Sequence, residues 1–315
     1  MDIFNGYYNM GLDTYNGVMD TLRGLVSNWH RRAAVVNANY PIVFTEGEKT
    51  NHYPLAMLPF SEHPSFQSLS GEQKQQILLY AWIIYNSRVV LAENHIVNPA
   101  FSQLIQGNWL TKKHHCFLQQ AVQQCLIDEQ FHSWMHLLAI EHAKASVVGE
   151  MKLNVFPESK IYVNFCRACS IFPEHWQKQL LTLMWAVVSE VSINAYLSLL
   201  SEDLSINPTH RYIVWLHNRD EYTHSKVTIE AFKEVFINFT PKQKTFFIKQ
   251  MPFVIESFSL RDDSAWLVIL SSIGICDSRT ILNDCASSTL VRDFSGIKKL
   301  LDELDIQIDS PLLTN

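Results

Sequence analysis

The fold is decided by residues 214–227, VWLHNRDEYTHSKV, a short run that contains His217, Glu221 and His224. On an α-helix with 3.6 residues per turn, side chains three or four positions apart lie on one face. Histidine and glutamate are both metal ligands. The run therefore predicts part of a metal site carried by one helix, with the remaining ligands elsewhere in the chain.

Matching residues lie upstream. Residues 126–136, LIDEQFHSWMH, place Glu129 and His132 three positions apart, and single carboxylates interrupt two apolar runs at Glu93 and Glu190. The order is therefore Glu, Glu-x-x-His, Glu, Glu-x-x-His. This is the ligand set of ferritin-like dimetal bundles, in which two helices each give a Glu and two give a Glu-x-x-His. Two unlike units repeated in that order predict a dimetal centre.

The rest of the chain predicts further helices. Ser70-Gly71-Glu72-Gln73 is a capping box that opens a helix ending before Asn98-Pro99. The other predicted helices cover 110–148, Pro173 to about Leu200, a segment from Asn207-Pro208 to about 236, one from Thr240-Pro241, and short ones within 262–272 and 295–305.

Residues 1–69 are the least regular part of the sequence, since four prolines interrupt them, and no alternating strand is apparent anywhere. We therefore predict an all-α, ferritin-like four-helix bundle with additional N- and C-terminal helices. The ligand helices cover about 70–230, and residues 1–315 form a single domain.

Composition excludes several classes of protein. The net charge of −6 comes from 25 basic and 31 acidic residues without a basic block, so neither nucleic acid nor a membrane surface is an expected partner. Six cysteines form no dense framework, and the N-terminus has no basic region followed by an apolar one, which indicates a reduced, cytoplasmic protein. The lone C-x-x-C of Cys166 and Cys169 favours two buried structural thiols.

The apolar run 180–200 is long enough to span a bilayer, but Glu190 at its centre favours a buried helix of a bundle.

The ligand types indicate which metal binds. Four carboxylates neutralise two divalent ions, and carboxylate oxygens with imidazole suit iron or manganese, whereas structural zinc favours thiolates. Asp128 and Asp220 each precede a ligand Glu directly, so either could hydrogen-bond an imidazole and fix its tautomer, or simply be solvated. His95 and His136 also lie near ligands, but the pattern is complete without them. Both are therefore expected to be core or surface histidines.

His217 departs from the symmetric pattern, because it lies one turn before Glu221 and adds a third histidine. This HxxxExxH run, together with the other ligands, resembles the diiron arylamine N-oxygenases, typified by the p-aminobenzoate N-oxygenase and the chloramphenicol-pathway enzyme. The resemblance covers about 70–230. It implies two iron ions, O2 as co-substrate, an external electron donor, and oxidation of a primary amine to a hydroxylamine, nitroso or nitro product in secondary-metabolite biosynthesis. It also implies a catalytic role for His217.

The substrate side is less defined by the sequence. Tyr85 and Arg88 precede Glu93 by about two turns, and Arg88 could hold a substrate carboxylate or pair with an acid of the core. The amine is an aryl amine by the resemblance, with an amino acid, free or bound to a carrier protein, as the alternative. An electron-donor protein or reductant is a further expected partner, and a homodimer is one expected assembly. A diiron C–H hydroxylase or desaturase, and a ferritin-type storage bundle, are the competing functions, but they leave His217 without a role.

Overall fold

A computed structural model describes residues 12–38, 42–43, 50–107, 109–110, 115–147, 151, 153, 155–285 and 292–313. Within these residues the only β-type pairing is an isolated parallel bridge between Asn51 and Ile206. The α-helices, in chain order, are α1 (Leu12–Arg32), α2 (Ala34–Asn37), α3 (Pro64–Gln67), α4 (Gly71–Ala92), α5 (Asn98–Gln106), α6 (His115–Ala145), α7 (Lys160–Ile171), α8 (His175–Ser192), α9 (Asn194–Ser201), α10 (Pro208–Ile237), α11 (Pro241–Ser259), α12 (Ser264–Ser272), α13 (Ser278–Asp284) and α14 (Ser295–Glu303).

Four of these helices form the central bundle. Helix α4 packs against α6, α6 against α10, and α10 against α8, while a π-helical turn, Glu93–Val97, joins α4 to α5 and packs against α8. Helix α1 lies on α6 and α10, and α11 and α14 lie on α8. The predicted all-α four-helix bundle with additional N- and C-terminal helices is confirmed, whereas the single domain stays a prediction.

Two apolar clusters occupy opposite ends of the bundle helices. Along α6, Leu118 and Cys125 belong to one cluster, while Met135 and Ala139 belong to the other. Helix α10 changes cluster in the same way, from Leu216 at its N-terminal part to residues beyond 226. Burial of these faces supplies most of the stability that a bundle needs. The polar segments between the two clusters carry the predicted ligands, so the packing holds the ligands in a layer across the bundle.

Three of the predicted helix starts are confirmed by their caps. The Ser70 hydroxyl accepts from the Gln73 N–H, while the Gln73 side chain accepts from the Ser70 N–H. Thr240 and Gln243 form the same reciprocal pair at α11. At α10 the Asn207 side chain accepts from the backbone of the second helical residue. Each cap satisfies backbone donors that the helix itself leaves free.

The predicted end of the first ligand helix is wrong. Instead of stopping before Asn98, the chain passes through the π turn, in which the Asn98 N–H bonds to the Glu93 carbonyl, and continues directly into α5. Pro99 causes no break because it stands in the first turn of α5, where a missing N–H is tolerated. Isolated π turns are frequent at functional sites, and this one carries a predicted ligand.

The third predicted helix is two helices. Glu174, rather than Pro173, caps α8 together with Gln177, and the apolar run breaks at Ile193, where α8 and α9 meet at 43°. In the described part of the chain, no single helix is long and apolar enough to cross a membrane, and this bent pair meets that test by length and composition only. Most of α8 is buried inside the bundle, as a core helix would be.

The N-terminal region is more regular than predicted. Helix α1 is 21 residues long and begins at Leu12, because the four prolines that seemed to interrupt residues 1–69 all follow residue 40. Val18, Leu22 and Val26 pack against the core at a spacing of one helical turn. This spacing was the available signal for α1. The predicted start of the second ligand helix at 110 falls partly outside the described residues, and α6 ends at Ala145.

Candidate metal centre

The seven predicted ligands converge in the layer between the apolar clusters, each 5% exposed or less. Two groups of four side chains hold their ligand atoms within 4.8 Å of one another: Glu129, His132, His217 and Glu221 in one, and Glu129, Glu190, Glu221 and His224 in the other. Glu129 and Glu221 belong to both groups, which is the arrangement of carboxylates that bridge two ions. Glu93 falls in neither group, but its Oε1 lies 3.6 Å from His217 Nε2.

The carboxylates fit a pair of cations because the protein itself does not satisfy them. Glu93, Glu190 and Glu221 each leave one buried carboxylate oxygen without a hydrogen-bond partner. Glu129 Oε1 lies 2.5 Å from His224 Nδ1 but makes no hydrogen bond. Uncompensated buried carboxylates are costly, and divalent cations are the partners that remove the cost. The donor set of oxygens and imidazole nitrogens suits iron or manganese.

The four buried carboxylates differ in pKa, because each has different neighbours. Burial raises the pKa of Glu93 and of Glu190 well above the usual range, and the neighbouring carboxylates raise both further. Burial acts in the same direction on Glu129 and Glu221, but the adjacent imidazoles outweigh it. They hold the pKa of Glu129 well below the usual glutamate value and lower that of Glu221 as well. The two carboxylates shared by both groups are therefore the ones that remain ionised.

Two of the three histidines hold protons strongly. Burial works against a charge on His132, but Glu129 and Asp220 raise its pKa to about 10. His224 is likewise opposed by burial, yet the surrounding anionic groups raise its pKa well above the usual value. Because metal ligation needs the deprotonated nitrogen, cations entering this cluster would displace protons from it.

The predicted aspartates do contact imidazoles, and they do so across helices. Asp220 Oδ2 lies 3.3 Å from His132 Nε2, and Asp128 Oδ2 lies 3.3 Å from His224 Nε2. Each aspartate therefore serves the histidine of the opposite Glu-x-x-His helix, with Nδ1 of that histidine left to face the carboxylates. A carboxylate behind a ligand histidine fixes its tautomer and raises its basicity.

The N-terminal segment completes this outer layer, which sequence reasoning missed. The Trp29 indole Nε1–H donates to Asp128 at 3.0 Å, and the Ala34 backbone N–H donates to Asp220 at 2.9 Å. The two contacts join residues 99 and 186 positions apart in the chain. Helix α1 and the start of α2 thus hold both aspartates in place.

His217 is supported differently. Its Nε2 lies 3.2 Å from Glu221 Oε1, while its Nδ1 lies 2.9 Å from Nε2 of His136. Its ring centre is 4.2 Å from that of His132, so His217 joins the His132 group. His136 is fully buried, so the surface alternative is wrong for it, whereas His95 is exposed. The signal for His136 was its position one turn after His132 on the same helix face.

A cavity of about 710 Å³ reaches the ligands, with Glu93, Glu190, His217 and Glu221 in its wall. Tyr85 and Arg88 also line the cavity, and the buried Tyr85 hydroxyl has no hydrogen-bond partner. Arg88 Nη2 lies 2.8 Å from Asp262 Oδ2, which is the pairing with an acid that the sequence left open. The volume is in the range of small-molecule sites.

Arg292 is the cavity residue that the sequence did not reveal. Its Nε and Nη1 are buried without a hydrogen-bond partner, and burial lowers its pKa. The guanidinium carbon lies 5.8 Å from the ring centre of Tyr196 and 5.9 Å from that of Phe258. Among the described lining residues, Arg88 and Arg261 are paired with aspartates and Lys160 is exposed, so Arg292 is the partly buried cation that has no described anion as a partner.

The described cysteines test the prediction that Cys166 and Cys169 are buried structural thiols. Five cysteines are described and all are free thiols, but Cys166 is exposed and Cys169 only partly buried. Two buried structural thiols are therefore wrong for this C-x-x-C. It lies on α7, where the two thiols are one turn apart.

Comparison with known proteins identifies a matching family model and a similar protein. A family model described as P-aminobenzoate N-oxygenase AurF matches residues 16–305. A protein of Streptomyces thioluteus named 4-aminobenzoate N-oxygenase is 35% identical over 299 residues, which cover 91% of this chain and 86% of that protein. Both matches reach well beyond the ligand helices of about 70–230, so the similarity includes the N- and C-terminal helices.

Proposed function

The chain belongs to the P-aminobenzoate N-oxygenase family and is an N-oxygenase. We propose that its substrate is an arylamine whose ring carries a carboxylate, and that the amine is oxidised at a buried diiron centre. The observation that carries this proposal is the pair of four-ligand groups that share Glu129 and Glu221. Three of their members, Glu190, His217 and Glu221, line the cavity. When bound, two irons supply the electrons and the coordination sites by which O2 is activated for transfer to nitrogen.

The proposed ligand roles follow from the grouping. One ion would be held by His132 and His217 together with Glu93, whose Oε1 lies 3.6 Å from His217 Nε2, and the other by Glu190 and His224, while Glu129 and Glu221 would serve both ions. We propose His217 as the catalytic addition, because among the described ligand histidines it lines the cavity, whereas His132 and His224 do not. Asp128 and Asp220 orient His224 and His132.

The cavity supports an aromatic, anionic substrate. Tyr53, Tyr196 and Trp266 contribute aromatic walls, and Tyr53 and Tyr196 are joined by a 2.7 Å hydrogen bond between their hydroxyls. A carboxylate would give Arg292 the anionic partner it lacks, with Tyr85 and Arg88 lining the same space. An unpaired guanidinium in the cavity wall favours a free small molecule over a carrier-bound aminoacyl group, whose carboxyl is held as an uncharged thioester.

Further proposals concern what acts with the enzyme. Forming a hydroxylamine from an amine consumes O2, two electrons and two protons and releases water, so an external reductant or donor protein is required. A homodimer is supported by large exposed side chains on the bundle surface, Leu137 of α6 and Trp215 and Tyr222 of α10. A cytoplasmic location is supported by the free thiols.

Product analysis tests the function directly. Ferrous-loaded protein with O2 and a reductant should convert 4-aminobenzoate to hydroxylamine, nitroso or nitro products detectable by mass spectrometry. The neutral analogue 4-aminobenzamide should react with a higher KM, because it lacks the charge that Arg292 requires. Iron-loaded protein that oxidises no arylamine of such a panel would overturn the proposal.

The carboxylate subsite has its own test. Arg292→Leu should lower kcat/KM for 4-aminobenzoate by about 10- to 100-fold, as a lost hydrogen bond to a charged group does, with less effect on 4-aminobenzamide. Arg211→Leu is the matched control, since Arg211 also has a buried, unpartnered Nε but does not line the cavity. Equal losses for both substrates would assign Arg292 to structure.

A further inference from the structure

A chain of buried hydrogen bonds leads away from His217 on the side opposite the carboxylates. His217 Nδ1 lies 2.9 Å from His136 Nε2, and His136 Nδ1 lies 2.6 Å from Asn86 Oδ1. The Asn86 amide nitrogen then donates to the Trp82 backbone carbonyl at 2.7 Å. The side chains of this chain are at most 2% exposed.

One backbone carbonyl sets the direction of every bond in this chain. The Trp82 oxygen only accepts, so the amide of Asn86 must turn its NH2 group towards Trp82 and its oxygen towards His136. That oxygen in turn only accepts, so His136 carries its proton on Nδ1. A neutral His136 then has a bare Nε2, which accepts the proton on His217 Nδ1.

The consequence falls on the far side of His217. With its proton fixed on Nδ1, His217 has a bare Nε2 lone pair, and this nitrogen lies 3.2 Å from Glu221 Oε1 and 3.6 Å from Glu93 Oε1. If the chain ran the other way, Nε2 would carry a proton and could not bind a cation. We propose that His136, held by Asn86, is a positioning residue that keeps His217 in the tautomer and orientation that binds metal.

This support differs from that of the other two histidines. His132 and His224 present Nδ1 to the carboxylates and turn Nε2 to an aspartate, whereas His217 presents Nε2 and turns Nδ1 to a neutral imidazole. Tyr85 packs edge-on against His136 at 5.8 Å, which leaves the His136 ring little freedom to rotate. The inference rests on the proposed metal centre and assigns a residue that lies outside its seven ligands.

The experiment is a metal titration of His136 variants. Holoenzyme is stripped and titrated with Co²⁺, whose visible absorption reports the ligand set, and with Fe²⁺ for affinity. His136→Leu should lower the affinity for one of the two ions by about 10- to 100-fold, the usual effect of losing a partner behind a ligand histidine. It should change the Co²⁺ spectrum of that site only. Asn86→Leu should lower the affinity for the same ion, because His136 is then free to take the wrong tautomer.

A rescue and a control separate positioning from packing. His136→Gln should bind both ions within about threefold of the unaltered protein, since the glutamine oxygen accepts from His217 while its NH2 donates to Asn86. His210→Leu removes an equally buried histidine of α10 that bonds the His52 carbonyl, so it should lower the melting temperature without changing either affinity.

The two levels of failure are distinguishable. Unchanged affinities and spectrum in His136→Leu, or a His136→Gln as defective as His136→Leu, would overturn the positioning role and leave the metal centre standing. Unaltered protein that binds neither Co²⁺ nor Fe²⁺ in a two-to-one ratio would overturn both proposals together.

Discussion

The histidines of the metal cluster are supported in two different ways. We call these the two plans: a carboxylate supports the histidine in the first, and a neutral imidazole supports it in the second. On one plan, His132 and His224 are backed by carboxylates that come from the opposite helix and are anchored by the N-terminal segment. On the other, His217 is backed by neutral His136 through a single chain of bonds. The first plan is duplicated with the two Glu-x-x-His units, and the second occurs once.

The difference teaches how a third histidine is added to a symmetric centre. A carboxylate behind an imidazole makes it a stronger donor and adds negative charge to an already acidic layer. His136 adds no charge, so it supports His217 without increasing the repulsion among four buried glutamates. We expect the duplicated pair to contribute to the binding of both ions, and the single histidine to add affinity for one ion and to govern the reactivity there.

Removing a shared carboxylate should produce the largest effect, because it takes a ligand from both four-ligand groups at once. Glu129→Ala or Glu221→Ala should lose iron at one or both positions and lower amine oxygenation by orders of magnitude, since each carboxylate belongs to both ligand groups. Iron analysis and product yield measure this, with exposed Glu141→Ala of α6 as control. Full iron content and activity in either variant would remove that residue from the ligand set.

His217→Ala should break only the second plan. The fold and, at saturating Fe²⁺, two irons per chain should persist, while amine oxygenation falls by orders of magnitude because the geometry at the reacting site changes. Iron content, circular dichroism and product yield on the same sample separate the two effects. An unchanged product yield would show that His217 is neither a ligand nor catalytic.

Substituting the aspartates should weaken the first plan by less. Asp220→Asn and Asp128→Asn should each lower metal affinity or activity by about 10- to 100-fold, since each removes the carboxylate behind one histidine. Competition with a chelator measures affinity. Similar losses in the two variants would show that the two aspartates support their histidines equally. A loss in only one variant would show that the two supports are not equivalent in function.

Proton release should give the most general effect, because it concerns both ligand groups without any substitution. Because the pKa of His132 is raised to about 10 and that of His224 is raised well above its usual value, the metal-free cluster holds more protons than the metal-bound one. Raising the pH therefore favours loading, by about tenfold per pH unit for each proton released. Calorimetry in buffers of different ionisation enthalpy counts these protons, and a pH-independent affinity would contradict the expectation.

The sequence predicted the ligands well because their positions depend on local rules. Helical spacing alone places Glu221 and His224 on one face, and apolar runs around Glu93 and Glu190 mark buried helices. The capped helix starts at Ser70 are equally local. Their convergence into two sharing groups follows once the four helices pack, although the role of each ligand stays a prediction.

What the sequence could not predict depends on contacts between distant residues. Arg88 and Asp262 are 174 positions apart, and the bond from Ala34 to Asp220 spans 186. No periodicity specifies which partner a packed helix will offer. For the same reason the unpaired state of Arg292 is visible only when its neighbours are known.

The π turn at Glu93–Val97 has a consequence for how this chain tolerates insertions and deletions. A π turn closes its hydrogen bond over one more residue than an α turn, so it stores one extra residue in the helix. Deleting one residue between Glu93 and Asn98 would return the segment to a regular α-helix and keep the facing of α5, whereas deleting one residue from a regular part of α4 would rotate everything downstream by about 100°. After a deletion in α4, Ala100, Phe101 and Leu104, which face the core, would turn away from it. A single-residue gap within ENHIV of a homologous sequence would therefore mark the loss of the π turn with the facing of α5 kept.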